Sequence, residues 1–145
     1  MKICEVILEI KGREIPTIRE EALIEDVMET MHRYPHSRLV YVINESNELT
    51  GTISLGMLLR HVVPHKFEPA IHPRNILGLV THETARDIMN KKPVTAKEED
   101  VVDTVIKRMI DANVKEIGII DLEGKLIADV TMLDLLKSLA KAEED

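Results

Sequence analysis

The chain has 145 residues, of which 44% are hydrophobic and 31% charged, as is usual for a soluble globular protein. Its net charge of −7 and pI near 5.4 oppose the binding of a polyanion, and its 2% aromatic content leaves few side chains for base stacking, so no nucleic-acid partner is predicted. The single cysteine, Cys4, excludes an internal disulfide framework and fits a reducing cytoplasm, where we expect the protein.

The N-terminal segment from Ile3 to Ile10 is rich in β-branched residues and predicts a short strand. Glu5 and Glu9 interrupt its apolar residues, and no small-residue cleavage site follows, so it is not a signal peptide. Nowhere does the chain approach the roughly 18 consecutive apolar residues that a membrane-spanning helix needs. No membrane insertion is therefore expected.

The next elements form a set that ends near residue 62. Ile15 to Ile18 predicts a strand, and a charged run then leads into an amphipathic helix. The apolar residues with helical spacing are Leu23, Ile24, Val27, Met28 and Met31. Two strands follow, Leu39 to Ile43 and Leu49 to Ile53, with turn residues between them. Ser54 then opens a second amphipathic helix.

The same order of elements recurs in the second half of the chain. Pro93 to Ala96 matches the first strand, Ile117 to Ile120 and Leu126 to Val130 match the hairpin, and Thr131 opens the last helix. Thr95 lies 78 residues after Thr17, whereas Thr131 lies 77 residues after Ser54, so the spacing is nearly constant. The sequence therefore contains an internal repeat.

Each copy predicts the order strand–helix–strand–strand–helix, and the fold class is α/β (α+β). Because one face of such a small sheet is bare, we expect the two copies to pack through their sheets about a pseudo-twofold axis. The predicted divisions are an N-terminal strand outside the repeat (1–11), the first repeat (12–62), an ordered linker (63–84), the second repeat (85–139) and an acidic tail (140–145). A short helix, Thr84 to Met89, is expected to lead into the second copy.

This arrangement resembles the CBS domain family, named after the regulatory part of cystathionine β-synthase. The second copy carries the fuller match, in Ala85–Met89, Pro93–Thr95, Asp121–Lys125 and Thr131–Leu136. The resemblance implies paired repeats with clefts between them that bind adenosine ligands: AMP, ADP, ATP or S-adenosylmethionine. It also implies a homodimer.

The resemblance further implies which residues hold the nucleotide. The hydroxyl of Thr131 would contact phosphate, Asp134 would accept from the ribose hydroxyls, and Val94 and Thr95 would border the adenosine. Ala128 stands where the family usually has glycine. The first copy offers Thr17 and Ser54, but Met57 replaces the ribose-binding aspartate, and a thioether cannot accept two strong hydrogen bonds. The second copy is therefore the better candidate site.

The residues themselves support both a binding and a purely structural interpretation. A hydroxyl at the start of a helix lies beside unpaired N–H groups, which suit an anion. However, Thr131 and Asp134 also have the spacing of a capping box, and Ser54 is a common N-cap residue. The two roles do not exclude each other.

The remaining polar residues indicate no catalytic or metal site. No nucleophile–base arrangement and no glycine-rich phosphate loop is present, so an enzyme is not expected. His61 and His65 are four residues apart, but Pro64 is expected to end the helix between them, and His61, His65 and His72 are interpreted as surface or packing residues. A phosphate contact from Arg60, Arg74 or Lys97 is left open.

We therefore expect a regulatory protein that binds an adenine nucleotide and signals to an effector protein in trans, since the sequence carries no effector domain. The alternative is a dimerisation or scaffold protein that has kept the fold and lost the sites. Met57 favours the alternative, and the pair Thr131 and Asp134 favours the sensor.

Overall fold

The computed structural model describes residues 1–67 and 83–144. These residues form two compact units, which follow the two repeats. The first-repeat unit is Pro16–Pro93, and the second-repeat unit is Met1–Ile15 together with Val94–Asp145. The segment that leads into the first repeat therefore belongs to the second-repeat unit, and the segment that leads into the second repeat belongs to the first-repeat unit.

In the first-repeat unit, helices cover one face of a three-stranded sheet. Its elements are β1 (Thr17–Arg19), α2 (Ile24–Arg33), β2 (Leu39–Ile43), β3 (Leu49–Ser54), α3 (Leu55–Phe67) and α4 (Ala85–Ile88), and the N-terminal helix α1 (Ile3–Glu9) precedes them in the chain. β1 is parallel and β3 antiparallel to the central strand β2. The core consists of Ile24, Val27, Met31, Val40, Val42, Ile53, Leu58 and Ala85.

The second-repeat unit repeats this arrangement. It contains α1, β4 (Thr95–Ala96), α5 (Val102–Ala112), β5 (Glu116–Ile120), β6 (Leu126–Thr131) and α6 (Met132–Glu144), with the strand order β4-β5-β6. The hairpin strands of the two units have identical burial patterns, and both hairpins contain a register shift at the equivalent position. The repeat predicted from spacing is therefore a repeat of structure, and the predicted fold class is confirmed.

The predicted N-terminal strand is wrong, because Ile3–Glu9 forms a helix, α1. The apolar residues that the strand prediction used also fit helical spacing, and Ile3 and Val6 are buried in the core of the second-repeat unit. The amides of Ile3 and Cys4 donate to the carbonyls of Asp100 and Glu98. These distant contacts outweigh the weak strand preference of the β-branched residues.

The expectation that Pro64 ends its helix is also wrong, because α3 continues to Phe67. A proline removes one backbone hydrogen bond and crowds the carbonyl four residues earlier, which costs stability but does not by itself stop a helix. The linker prolines Pro69 and Pro73 lie outside the described residues, as do His72 and Arg74. In the described part of the chain no helix is long and apolar enough to cross a membrane.

Candidate functional site

The junction between β6 and α6 brings Thr131 and Asp134 together. The hydroxyl of Thr131 accepts from the amide of Asp134 at 3.1 Å, and the carboxylate of Asp134 accepts from the amide of Thr131 at 2.8 Å. This reciprocal pair is the capping box that the spacing suggested. It fixes the hydroxyl and the carboxylate side by side at the start of a 13-residue helix.

Arg13, in the N-terminal segment of the same unit, adds a cation to this pair. Its guanidinium holds the carboxylate of Asp134 with both terminal nitrogens, of which Nη1 lies 3.3 Å from Oδ1 and Nη2 contacts Oδ2. Nη2 also donates to the backbone carbonyl of Asp129 at 3.1 Å. The side chains of Arg13 and Asp134 are only 28% and 16% exposed, so the ion pair is shielded from much of the solvent.

The turn after α1 positions this arginine. The amide of Arg13 donates to the carbonyl of Ile10, and Gly12 before it has a φ of 90°, which a residue with a side chain adopts only with strain. Glu9, at the end of α1, accepts from the hydroxyl of Ser138 at 3.0 Å. Because Ser138 and Asp134 are both on α6, one helix anchors α1 and receives its arginine.

Burial would raise the pKa of Asp134, but the hydrogen bond from Arg13 and those from Thr131 outweigh it and hold that pKa below its usual value. The same hydrogen bond from the arginine to the carboxylate raises the pKa of Arg13. Asp134 is therefore a charged acceptor at neutral pH.

This lowered pKa predicts how stability depends on pH. The contribution of the pair is fully present above the ordinary carboxyl pKa of about 4 and is lost as the pH falls through the lower value of the folded protein. We expect Asp134→Asn, which keeps an acceptor for the cap, to lower the free energy of unfolding by about 1–2 kcal/mol at pH 7. Melting curves from pH 7 to pH 3 should show this difference shrinking towards the acid end. A constant difference would contradict the role of the ion pair.

The sheet of the second-repeat unit carries Thr95 on the same face as this junction. Thr95 pairs with Gly118, and Gly118 pairs with Asp129, so the three share one row across the sheet. Because side chains alternate along a strand, Thr131 lies on the same face, two residues beyond Asp129. The centre of this face is a glycine. Val94 instead packs its side chain against the core, and a contact from it to adenosine stays a prediction.

The equivalent junction of the first-repeat unit is built differently. The hydroxyl of Ser54 accepts from the amide of Met57 at 3.1 Å, which makes Ser54 a simple N-cap. Thr17 pairs with Tyr41, and this fully buried tyrosine occupies the position that Gly118 has in the other sheet. The position that carries no side chain at the centre of this face in one unit therefore carries a large one in the other.

Arg13 is the residue that the sequence interpretation missed. A cation precedes the threonine of the first strand in each repeat by four positions, Arg13 before Thr17 and Lys91 before Thr95, and the repeat spacing could have drawn attention to both. Lys91 is exposed, and the position equivalent to Asp134 in its unit is Met57. At these two equivalent positions, the described residues of the first-repeat unit thus have neither a partly buried cation nor a carboxylate.

Other polar residues are placed away from the Thr131–Asp134 junction or outside the description. Arg60 borders a pocket with Met57, His61 and Glu83 in the first-repeat unit, and His61 pairs with Glu83. Lys97 borders a separate pocket with Asp100 and Leu122. Among the described residues no group of three or more histidine, cysteine or acidic side chains could hold a metal ion. The side chain of His65 lies outside the description.

Known proteins share this sequence pattern and this fold. The sequence profile of the CBS domain matches residues 7–64 and 85–141. An uncharacterised protein of Methanopyrus kandleri is 33% identical over 98 residues, which cover 68% of this chain and 44% of that protein. This chain therefore spans less than half of that relative.

Two solved structures are similar over most of the chain. The CBS domain-containing protein of Thermotoga maritima has a TM-score of 0.77 at 26% identity, over 97% of this chain and 95% of that one. The cytosolic domain of the Mg²⁺ channel MgtE, solved in complex with ATP, has a TM-score of 0.63 at 25% identity, over 84% of this chain and 44% of that one. With both repeats matched, the chain belongs to the CBS domain family and contains a tandem pair of CBS domains.

Proposed function

We propose that this chain is a regulatory sensor that binds an adenine nucleotide at the Thr131–Asp134 junction. The observation that carries the proposal is the geometry of Asp134, a charged carboxylate held at a helix start beside the hydroxyl of Thr131. The helix N-terminus with this hydroxyl suits a phosphate, and the carboxylate suits the two hydroxyls of ribose. The ATP complex of the MgtE cytosolic domain supports the same ligand class.

The candidate ligands are AMP, ADP, ATP and S-adenosylmethionine. Thr95, on the same sheet face, would border the adenosine. In the first-repeat unit, Thr17 and Ser54 would form a weaker site, because Met57 offers no acceptor for the ribose. The signal would pass to an effector protein in trans, and the single cysteine favours the cytoplasm as its location.

A melting-temperature screen against AMP, ADP, ATP, S-adenosylmethionine and NAD tests this function. A ligand at 100 times its dissociation constant adds about 2.7 kcal/mol of stability, which corresponds to a rise of roughly 5–10 °C. We expect Asp134→Asn to remove most of that rise, because a neutral amide has one oxygen to offer the diol instead of two. Met57→Ala is the matched control in the other unit and should keep the rise. Equal losses in both variants would contradict the choice of site.

The second candidate function is a dimerisation scaffold without a ligand. One observation favours it: the capping box and the ion pair with Arg13 already use both oxygens of Asp134 within the protein. This function predicts that none of the five ligands raises the melting temperature while the protein still self-associates. The two functions are therefore separated by the same screen.

A homodimer is part of both functions. Each unit leaves apolar side chains exposed on its helices, among them Met28 and Leu59 in one unit and Leu133 and Leu136 in the other. In the first-repeat unit they border an apolar pocket of about 350 Å³ between α2 and α3. Exposed apolar surface on the helices of each unit favours burial against another protein surface. A second copy of the chain offers the same surface in return.

A further inference from the structure

We propose that Arg13 is an internal competitor of the nucleotide, because its guanidinium occupies the edge of Asp134 that a ribose diol would bind. The inference rests on the proposed function and concerns how that site is controlled. It assigns to the turn after α1 a regulatory contact, which a ligand must break in order to bind.

The hydrogen bonds at Asp134 carry this inference. A carboxylate has two oxygens, each with about two acceptor positions. Oδ2 accepts from the amide of Thr131 and from Nη2 of Arg13, so its acceptor positions are filled, and Oδ1 accepts from Nη1. A diol that donates one hydrogen bond to each oxygen needs the edge that the two arginine nitrogens hold. Diol binding and the Arg13 pair therefore exclude each other.

The surroundings of Arg13 keep the competitor in place. Nη2 donates to the carbonyl of Asp129 as well as to Asp134, and α1 is anchored by the buried side chains of Ile3 and Val6. A flexible surface arginine would lose entropy on pairing, but this one is held on a fixed turn, so its effective concentration at Asp134 is high.

The comparison of the two units supports a specific role for the pair. In the first-repeat unit, the carbonyl of Thr52, equivalent to that of Asp129, accepts from the backbone amide of Asn90 at 2.8 Å. A backbone amide thus satisfies the carbonyl there, and no arginine side chain is needed to attach that segment to the sheet. In the second-repeat unit, by contrast, Arg13 and the carboxylate of Asp134 occur together.

A purely structural role for Arg13 is the competing explanation. In that case the ion pair only fastens α1 to α6, the nucleotide does not bind the occupied edge of Asp134, and removing Arg13 changes stability without changing which nucleosides bind. The two explanations differ in their effect on a ligand that has a diol but no phosphate.

The test measures binding of adenosine and of 2′,3′-dideoxyadenosine to the wild-type chain, Arg13→Gln and Lys141→Ala by calorimetry. Removing the competitor should tighten adenosine binding about five- to tenfold, the equivalent of breaking one partly shielded ion pair. Dideoxyadenosine has no diol and should bind the wild type and Arg13→Gln equally. Lys141→Ala removes an exposed cation that pairs with Glu9 at 3.5 Å, and it should leave both affinities unchanged.

The outcomes separate this inference from the proposed function. Tighter adenosine binding in Arg13→Gln, with dideoxyadenosine unchanged, supports the competitor even where the wild type binds adenosine too weakly to measure. If AMP, ADP or ATP binds the wild type but Arg13→Gln binds adenosine no more tightly, the competitor is overturned and the proposed function stands. If the wild type binds none of the nucleotides and Arg13→Gln does not bind adenosine, both fail.

A second variant covers the case in which Arg13→Gln does not fold. Arg13→Lys keeps the positive charge but cannot hold both carboxylate oxygens with a planar fork. It should tighten adenosine binding about two- to threefold, between the wild type and a full removal of the pair. An affinity for adenosine equal to that of the wild type in this folded variant would overturn the competitor.

Discussion

Gly51→Ala is expected to lower the melting temperature by about 3–6 °C, through a loss of about 1–2 kcal/mol. A Cβ atom at Gly51 would lie 2.5 Å from the sulfur of Met89 and 2.9 Å from the backbone carbonyl oxygen of Asn90. The side chain of Met89 can move, but Asn90 is fixed by two backbone hydrogen bonds to Thr52. The segment before the second repeat would therefore have to shift from the edge of β3.

Gly56→Ala is the matched control for this change. Gly56 is in the first turn of α3, and beyond its chain neighbours and the backbone of its own helix the nearest atoms lie 3.8 Å from the position of its Cβ. Alanine favours the helix over glycine by up to about 1 kcal/mol, so the melting temperature should rise. The two substitutions add the same methyl group with opposite effects. An unchanged or raised melting temperature for Gly51→Ala would show that the segment gives way without cost.

The second repeat has no glycine at the equivalent position. The second copy has Ala128 at the position equivalent to Gly51, and Ala128 is buried in the core of its own unit. The backbone bridge between Thr52 and Asn90 has no equivalent at Asp129 among the bridges of the described residues, where the side chain of Arg13 reaches the carbonyl instead. A glycine is thus needed at this position only in the first-repeat unit, where the backbone of Asn90 lies close to β3.

The elements of the repeats could be predicted from sequence because their signals are local. Helix α2 is evident from apolar residues that recur on one face, and the hairpin of β2 and β3 from a β-branched run with a turn after it. The start of α6 was predicted from a hydroxyl at the end of a strand, and the hydrogen bonds of Thr131 and Asp134 span only three residues. Spacing along the chain determines such contacts.

The wrong prediction at α1 and the omission of Arg13 involve contacts between distant parts of the chain. The segment of α1 has side chains that suit a strand or a helix, and its amides pair with carbonyls near residue 100, which no local pattern reveals. Arg13 is separated from Asp134 by 121 residues, so the site's cation could not be read from the motif around Thr131. Both have the same cause: Met1–Ile15 precedes the first repeat in the chain but belongs to the second-repeat unit.

Substituting a charged residue for an exposed leucine on the helices should convert a self-associated protein into a monomer. This change in oligomeric state is the largest effect that we expect. Leu59 on α3 and Leu136 on α6 occupy equivalent positions in the two repeats and are 50% and 49% exposed. Burial of one leucine contributes about 1.5–3 kcal/mol, and in a twofold-symmetric dimer each substitution acts twice. Because Leu136 is already about half buried in the single chain, about half of that figure applies at each of its two copies, and Leu136→Glu alone should raise the dissociation constant at least about tenfold.

Light scattering after size exclusion, over a series of concentrations, measures this effect. The wild type should have twice the chain mass of 16.5 kDa, and Leu59→Glu and Leu136→Glu should approach the mass of one chain. Leu122→Glu is the control, since Leu122 is 91% exposed in the turn between β5 and β6 rather than on a helix. A wild type with the mass of one chain would contradict the dimer. If Leu122→Glu also dissociated the protein, a charge at the hairpin turn would have the same effect as one on the helices. The interface would then lie elsewhere than on the helix faces.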